Sequence, residues 1–180
     1  MTTAIQLVDN TIGKEGRYVN NKDDAGGETI WGITIAVARE NGYNGPMREM
    51  PRSVAVDIYV KKYLTKTGFI SVLDVYPRVA EELFDSGVNL GVSWPAIWLQ
   101  TALNAFNSKG EHYADVKVDG AFGPASLKAL KAYKAKRGTE GETVLLRALN
   151  AQQGARYLSI TQAREANETF CYGWFLNRVE

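Results

Sequence analysis

Two acidic residues, Glu15 and Asp24, stand nine positions apart (24 − 15 = 9) where a predicted first helix gives way to a polar loop. This placement would bring two carboxyl groups to one edge of a cleft. Cleavage of a glycosidic bond uses such a pair, one protonated to assist the leaving oxygen and one ionised to activate water or stabilise positive charge on the sugar. Spacing alone is weak support, because a glutamate at a helix end is commonly a solvated cap or a salt-bridge partner. Asp24 also stands in a sequence typical of turns.

The counts of cysteine and histidine limit which catalytic mechanisms the chain could use. The chain has one cysteine, Cys171, and one histidine, His112. A zinc amidase typically needs two or more imidazoles, and a papain-like pair would have to use these two residues, neither of which lies in a recognisable motif. We therefore expect Cys171 to be a buried, inert core residue and His112 a loop residue. The chemistry should be that of carboxylates, with no metal or organic cofactor.

The composition is that of an ordinary globular protein. Hydrophobic residues make up 45% of the 180 positions and charged residues 23%, which suits one compact domain or two small lobes sharing a core. The 21 basic and 20 acidic side chains leave a formal net charge of +1, which argues against a dedicated nucleic-acid binder. The sequence shows no signal-peptide pattern and no run of roughly 18 apolar residues. We expect a soluble, cytoplasmic product without stable membrane insertion, which another agent must deliver to any target outside the membrane.

The elements that would position the two acids are mostly helical. Residues 4–12 repeat apolar side chains at helical spacing, so the first helix should stop just before Glu15. Residues 18–29 are rich in Asn, Asp and Gly and predict a polar loop or a small β-hairpin. Further helices are predicted from Thr34 to Gly42, from Pro51 to near Gly68, after Pro77, after Ser93, from Pro124 to Gly138 and from about Thr143 to Ala163. Because sustained period-2 alternation is nearly absent, the predicted fold is mainly α with a minor β element.

Several motifs, in order along the chain, resemble one enzyme family. Residues 15–34 have the sequence E-G-R-Y-V-N-N-K-D-D-A-G-G-E-T-I-W-G-I-T. This string strongly resembles the signature of glycoside hydrolase family 108, which comprises phage and bacterial N-acetylmuramidases with an E-G-G-Y motif. Residues 84–91, F-D-S-G-V-N-L-G, resemble the family's F-D-x-x-V-N-x-G helix, and residues 98–174 resemble its predicted peptidoglycan-binding region.

This resemblance covers nearly the whole chain, from about residue 5 to residue 178. It implies a lysozyme-like helical domain with a small β-hairpin or polar loop after the first helix. It also implies a catalytic lobe over residues 1–92 and a helical peptidoglycan-binding-like lobe over residues 93–180, packed together as one globular unit.

The resemblance assigns the role of catalytic acid to Glu15. The chain departs from the family at Arg17, which stands where the second glycine of the E-G-G-Y motif is usual and would add a cationic contact to the substrate. The spacing between Glu15 and Asp24 also resembles the catalytic stretch of phage T4-type lysozymes. By that resemblance Asp24, and Thr29 five residues later, would position the attacking water.

Three more residues are candidate substrate contacts, each with a structural alternative. Tyr18 would stack on a sugar or orient the acid, or else pack under the loop. Asn89, in an otherwise apolar predicted helix, is either a buried hydrogen-bonded residue or a contact in the substrate groove. Trp174 stands in an aromatic group near the chain end and would line the groove or belong to the core. The same alternatives apply to the other tryptophans, most of which we expect in the core: Trp31, Trp94 and Trp98.

The expected function is that of an endolysin-type muramidase. It would hydrolyse the β-1,4 bond between N-acetylmuramic acid and N-acetylglucosamine in bacterial peptidoglycan and so lyse the host cell. Two alternatives stay open: a lytic transglycosylase, in which the sugar's own 6-hydroxyl replaces water, and a non-catalytic peptidoglycan-binding module. The expected partner is cell-wall peptidoglycan and not nucleic acid. A monomer would wait in the host cytoplasm and depend on a holin to reach the periplasm or cell wall.

Overall fold

The computed structural model describes residues 3–12, 18–20 and 27–179. Within these residues a two-stranded sheet, β1 (Thr29–Ile30) and β2 (Ile33–Thr34), accompanies eight helices. The helices are α1 (Ala4–Ile12), α2 (Ile35–Glu40), α3 (Arg52–Tyr59), α4 (Pro77–Leu90), α5 (Ser93–Ala105), α6 (Pro124–Arg137), α7 (Glu140–Gln162) and α8 (Glu168–Arg178). A π-helix covers Val60–Thr65, and short 3₁₀ helices cover Met47–Glu49, Phe69–Val72 and Glu165–Asn167. The predicted mainly α fold with a small β-hairpin after the first helix is confirmed.

The chain packs as two compact units, Met1–Lys66 and Thr67–Glu180. The packing boundary therefore falls just after the π-helix. Helix α4 precedes the predicted functional boundary between residues 92 and 93, yet it packs against α5 and α7 within the second unit. The division into lobes of different function, and their packing as one body, stay predictions. None of the helices in the described part of the chain is long and apolar enough to cross a membrane.

Helix α1 begins with a reciprocal cap. The backbone N–H of Gln6 donates to Thr3 Oγ1 (3.2 Å), and the N–H of Thr3 donates to Gln6 Oε1 (2.9 Å). This arrangement satisfies two of the donors that a helix start leaves unpaired. Helix α1 packs against α3 and against the π-helix Val60–Thr65. An ion pair between Asp9 and Arg52 joins α1 to α3, so the helix that leads towards the candidate acids is fixed to the rest of its unit.

The β-hairpin has a two-residue turn with left-handed backbone. Thr29 faces Thr34 across the antiparallel ladder, and the turn residues Trp31 and Gly32 have φ values of 54° and 73°. Positive φ at both central positions matches the twist of the flanking strands, which is why such turns are favoured in hairpins. A tryptophan in this region is uncommon, since most residues with a Cβ avoid it. The surrounding contacts must therefore hold Trp31 in place.

This hairpin lies later in the chain than the segment predicted for it. The prediction covered residues 18–29, whereas the ladder covers residues 29–34 and residue 19 joins it only through an isolated bridge to Thr29. Most of the Asn, Asp and Gly residues on which that prediction rested are among residues 21–26, which lie outside the described residues. The turn itself uses Trp-Gly, which is not among the usual turn pairs.

The second unit is built on α4, α5 and α7, each of which packs against the other two. Fully buried side chains from all three helices form its core: Leu83, Phe84, Leu99, Leu103, Leu145 and Leu149. Burying a side chain of this size contributes about 1.5–3 kcal/mol. Helix α8 closes against α7 at Gly154, where a Cβ would meet the Phe175 ring at 3.2 Å. The sequence predicted only an aromatic group at the chain end, and the structure shows that this group forms α8.

A single amide organises the loop between α5 and α6. Gln100 is 1% exposed, and its Nε2 donates to Asp119 Oδ1 (3.1 Å), to the carbonyl of Ala121 (3.1 Å) and to Ser126 Oγ (3.2 Å). Its Oε1 accepts from the backbone N–H groups of Asp119 (3.0 Å) and Gly120 (3.1 Å). Five hydrogen bonds from one buried side chain thus fix the Val-Asp-Gly turn that precedes α6.

Candidate active site

Glu15, Asp24 and Arg17 lie outside the described residues. The structure describes the parts of the chain that flank them: α1 up to Ile12, residues 18–20, and everything from Gly27 onward up to residue 179. The catalytic roles of Glu15 and Asp24 therefore stay predictions. The geometry of the flanking residues is known.

The two flanks of the segment that contains Asp24 are hydrogen-bonded to each other. The N–H of Val19 donates to the carbonyl of Thr29 (2.8 Å), and the N–H of Thr29 donates back to the carbonyl of Val19 (2.8 Å). The carbonyl of Glu28 also accepts from the N–H of Ile35 (2.8 Å), at the start of α2. These bonds attach Val19, on one side of the segment that contains Asp24, to strand β1, and Glu28, on the other side, to the start of α2.

Tyr18 lies beside this bridge and has a cationic neighbour. The guanidinium carbon of Arg48 sits 4.5 Å from the centre of the Tyr18 ring, and the ring is half-buried. A cation over an aromatic face attracts it electrostatically and holds the ring in one orientation. Sequence reasoning missed Arg48, because no local pattern links residues 18 and 48. Whether Tyr18 contacts a sugar stays a prediction.

Thr29 has a fixed backbone and a hydroxyl with a defined direction. Its Oγ1 donates to the carbonyl of Gly27 at 3.3 Å, while its N–H and carbonyl are held by Val19. A hydroxyl that donates its only proton in this way keeps its lone pairs for accepting a hydrogen bond. The side chain is half-buried. This arrangement is chemically suited to holding a water molecule by accepting one of its protons.

Two hydrogen bonds join the hairpin turn to the segment that follows it. Trp31 Nε1 donates to the carbonyl of Met50 (3.0 Å), and the Tyr59 hydroxyl donates to the carbonyl of Trp31 (3.3 Å). A Cβ on Gly32 would lie 2.6 Å from that hydroxyl, so any other residue there would force Tyr59 to shift, and the φ of +73° would add strain. Burial, and next the nearby Tyr63, raise the pKa of Tyr59 to about 12. The phenol therefore stays protonated, and remains a donor, well above neutral pH.

Asn89 lies at the exposed end of α4 in the second unit. Its Nδ2 donates to the carbonyl of Asp85 (2.7 Å), one turn earlier. The Asp85 carboxylate accepts from Arg178 Nη1 at 2.6 Å, which ties α4 to the end of α8. The alternative in which Asn89 is a buried, hydrogen-bonded residue is therefore wrong, because its side chain is exposed. Its role as a substrate contact stays a prediction.

Trp174 lies on α8, one turn before Arg178, and is engaged by other rings. It stacks on Tyr157 with ring centres 5.0 Å apart and on Phe170 at 6.2 Å. Tyr157 is 1% exposed, and burial chiefly raises the pKa of its hydroxyl to about 12. Trp174 itself is half-buried, so part of its surface stays accessible. The ion pair between Asp85 and Arg178 thus connects α4, which carries Asn89, with α8, which carries Trp174, within the second unit.

The other two tryptophans of the second unit are committed to packing contacts. Trp98 is 5% exposed, as expected for a core residue. Trp94 lies under the guanidinium of Arg156, 4.1 Å from the ring centre, and tilts against Trp98 at 6.3 Å. Since these neighbours occupy much of the Trp94 ring, the structure favours a packing role for it.

The lone cysteine and histidine show no catalytic arrangement. Cys171 is a free, half-buried thiol on α8, so the prediction that it is buried is wrong; α8 covers the core only along one side. His112 lies in the loop after α5, as predicted, and its backbone N–H donates to the carbonyl of Asn107 (3.1 Å). Among the described residues, no group of three or more His, Cys, Asp or Glu side chains has the proximity needed to hold a metal ion.

Comparison with known proteins assigns each half of the chain to a family. Residues 8–91 match the family described as Glycosyl hydrolase 108. Residues 94–179 match the family described as Predicted Peptidoglycan domain. The first match contains Glu15, Asp24, Thr29, Tyr18 and Asn89, and the second contains Trp174. The resemblance inferred from the sequence motifs is confirmed.

The fold has a solved relative. The structure of Brucella abortus SagA matches with a TM-score of 0.63 and 22% identity, covering 92% of this chain and 83% of that one. At this identity the likeness concerns the fold. No curated protein matches the sequence. The matches of residues 8–91 to the Glycosyl hydrolase 108 family and of residues 94–179 to the predicted peptidoglycan domain family identify this protein as a glycoside hydrolase of the N-acetylmuramidase type, directed at peptidoglycan.

Proposed function

We propose that the protein hydrolyses the β-1,4 bond between N-acetylmuramic acid and N-acetylglucosamine, with Glu15 as the general acid. The observation that carries this proposal is the family match over residues 8–91, which spans the Glu-Gly-x-Tyr segment. Glu15 would protonate the departing glycosidic oxygen, and Asp24 would direct a water molecule to the sugar carbon. The hydroxyl of Thr29, whose own proton is committed to Gly27, would accept a hydrogen bond from that water.

A nearly isosteric substitution tests the role of Glu15. In Glu15→Gln the side chain keeps its size but loses its transferable proton, so the rate of peptidoglycan hydrolysis should fall by about 10²–10⁴-fold. Binding to purified cell walls and the unfolding midpoint should be unchanged. The rate is measured from the loss of turbidity of purified sacculi and from the appearance of reducing ends.

Glu40→Gln is the matched control for this experiment. Glu40 is an exposed residue at the end of α2, and the same change of charge there should leave the rate unaltered. Full activity of Glu15→Gln would show that Glu15 does not act as the acid in the reaction. An equal loss in both variants would show that net charge, and not the acid, is responsible.

The match over residues 94–179 supports a second role for the same chain, that of holding the wall. In this proposal the second half keeps the enzyme on its insoluble substrate while the first half cuts. If wall binding occurs without any cleavage, the chain is a binding module alone. If the released chains end in anhydro-muramic acid, the enzyme is a lytic transglycosylase and the 6-hydroxyl has replaced water.

We further propose a biological setting, on the strength of the resemblance of residues 15–34 to phage enzymes. The protein would accumulate as a monomer in the host cytoplasm and lyse the cell once a holin opens a path to the periplasm and cell wall. Co-expression tests this. Lysis should follow induction of a holin and should be absent without it, while Glu15→Gln should not lyse under either condition.

A further inference from the structure

A half-open cleft with a volume of about 250 Å³ lies where α6 ends and α7 begins, within the second unit. Of the candidate site residues that the structure describes, Tyr18, Thr29, Asn89 and Trp174, none lines it. The cleft is lined by Phe106, Tyr133, Arg137, Glu140, Gly141 and Val144. Its lining thus combines apolar rings and a methyl-bearing side chain with one cation and one anion.

The floor of the cleft is fixed by tight packing. Tyr133 is 1% exposed, and its hydroxyl donates to the carbonyl of Gly141 at 3.0 Å. The Phe106 ring packs against Tyr133 with centres 6.2 Å apart. A Cβ on Gly141 would lie 2.8 Å from the Tyr133 ring and 2.6 Å from the hydroxyl of Tyr76. The start of α7 therefore approaches these rings closely, and the apolar floor is formed before any ligand arrives.

The two charged residues of the cleft are uncommitted. Arg137 ends α6 and Glu140 begins α7, and both side chains are exposed. Across the described residues, neither side chain forms an ion pair with the other or with any third group, and neither makes a hydrogen bond. The turn at Gly138, with φ of 60°, separates them along the chain. A ligand carrying both charges would meet a partner for each beside one apolar surface.

Building on the proposed function, we propose that this cleft is a subsite for a zwitterionic end of a diamino acid in the peptide part of peptidoglycan. The carboxylate would pair with Arg137, whose planar guanidinium suits two parallel hydrogen bonds to a carboxylate. The ammonium would pair with Glu140. The methylenes that follow this charged end would lie over Phe106, Tyr133 and Val144. The second half of the chain would then recognise wall peptide as well as glycan.

Three soluble probes of matched length test this recognition on the full chain. Meso-diaminopimelate carries both charges at each end, pimelate carries only carboxylates, and 1,5-diaminopentane carries only ammonium groups. Titrations followed by amide NMR should show saturable shifts at Gly141 and Val144 with meso-diaminopimelate. Either single-charge probe should bind about five- to tenfold more weakly, because each lacks one of the two charged partners.

Two variants with matched controls assign the effect to the cleft. Arg137→Gln should weaken binding of meso-diaminopimelate about five- to tenfold, and Glu140→Gln should do likewise. Arg147→Gln on α7 and Glu165→Gln in the 3₁₀ helix after it make the same charge changes at exposed positions outside the cleft, and both should bind as the wild type does. The unfolding midpoint of each variant shows that the fold is retained.

Three results would overturn the inference: no saturable shift, equal affinity for the three probes, or equal weakening by Arg147→Gln and Arg137→Gln. Hydrolysis of sacculi is measured on the same preparations to separate this inference from the proposed function. A chain that cleaves glycan but fails the probe tests refutes the subsite alone. A chain that passes the probe tests but cleaves nothing supports the subsite chemistry and refutes the proposed reaction.

Discussion

The hairpin turn of the first unit and the loop of residues 118–122 in the second are both held by hydrogen bonds that involve side chains, but in different ways. At the hairpin, the Tyr59 hydroxyl makes one bond of 3.3 Å to Trp31, and the Trp31 indole makes one to Met50. The loop is held by four hydrogen bonds to one amide, that of Gln100, which is 1% exposed and makes a fifth hydrogen bond to Ser126 in α6. The shape of the hairpin turn therefore depends on strand pairing and on two separate contacts, whereas the shape of the loop depends on a single side chain.

This difference bears on where each region is sensitive to substitution. A buried amide that satisfies several backbone groups leaves them all unpaired when it is removed. A turn set by backbone conformation is sensitive instead at the residue that must adopt positive φ. Removing the buried amide should therefore destabilise the protein more than adding a Cβ at a glycine with positive φ.

The largest expected effect is at Gln100. Gln100→Leu keeps a similar volume but removes all the hydrogen bonds that the amide makes to Asp119, Gly120, Ala121 and Ser126, and it should destabilise the chain by about 3 kcal/mol or more. Urea unfolding followed by tryptophan fluorescence measures the change. Gln162→Leu, at the exposed end of α7, is the control and should change stability by less than about 0.5 kcal/mol. Equal effects in the two variants would contradict the role given to Gln100.

The next effect is at Gly32, where an added Cβ meets both a steric and a conformational obstacle. Gly32→Ala should cost about 2–3 kcal/mol, since φ is +73° and the Tyr59 hydroxyl lies 2.6 Å from the new atom. Gly42→Ala separates the steric cause from the conformational one, because φ at Gly42 is +89° but no atom lies within 4 Å of the added Cβ. Gly42→Ala should cost about 1 kcal/mol.

A double variant sharpens this result. Tyr59→Phe removes the clashing oxygen, so Gly32→Ala should be less costly in the Tyr59→Phe background than in the wild type. If the cost of Gly32→Ala is the same in both backgrounds, or matches that of Gly42→Ala, the close approach of Tyr59 does not govern the turn.

The smallest effects are on the dependence of stability on pH. Burial raises the pKa of Tyr59 in the first unit and of Tyr157 in the second from the ordinary 10.0 to about 12. A phenol with a raised pKa in the folded state contributes stability that is complete below pH 10 and is lost as the pH rises towards 12. Urea midpoints measured across that window should fall with pH. Tyr59→Phe and Tyr157→Phe should each make the fall shallower, and an unchanged slope in either variant would contradict the burial of that hydroxyl as its cause.

Local signals in the sequence predicted the helices well. Thr34 caps α2 through a hydrogen bond from the N–H of Val37 (3.4 Å), and Pro77 and Pro124 each start a helix, as their fixed φ allows. Such signals act within a few residues, so a single sequence reveals them. The same signals do not show that the helix begun at residue 52 continues as a π-helix over Val60–Thr65.

The contacts that position side chains around the site were not predictable in this way. Arg48 reaches Tyr18 across 30 positions (48 − 18 = 30), and Tyr59 reaches Trp31 across 28 (59 − 31 = 28). No periodicity or turn rule relates such distant residues, because tertiary packing alone brings them together. The candidate acids are predicted from a motif alone, and to this prediction the structure adds the pair of hydrogen bonds between Val19 and Thr29.

Product analysis in heavy-oxygen water tests the central claim most directly. Purified sacculi are digested by the full chain in water enriched in that isotope, and the released fragments are analysed by mass spectrometry. Hydrolysis predicts chains that end in reducing N-acetylmuramic acid and carry one heavy oxygen at the newly formed end. Anhydro-muramic ends without heavy oxygen, or release of N-acetylglucosamine at the new reducing end, would contradict the account of the protein as a muramidase that uses water.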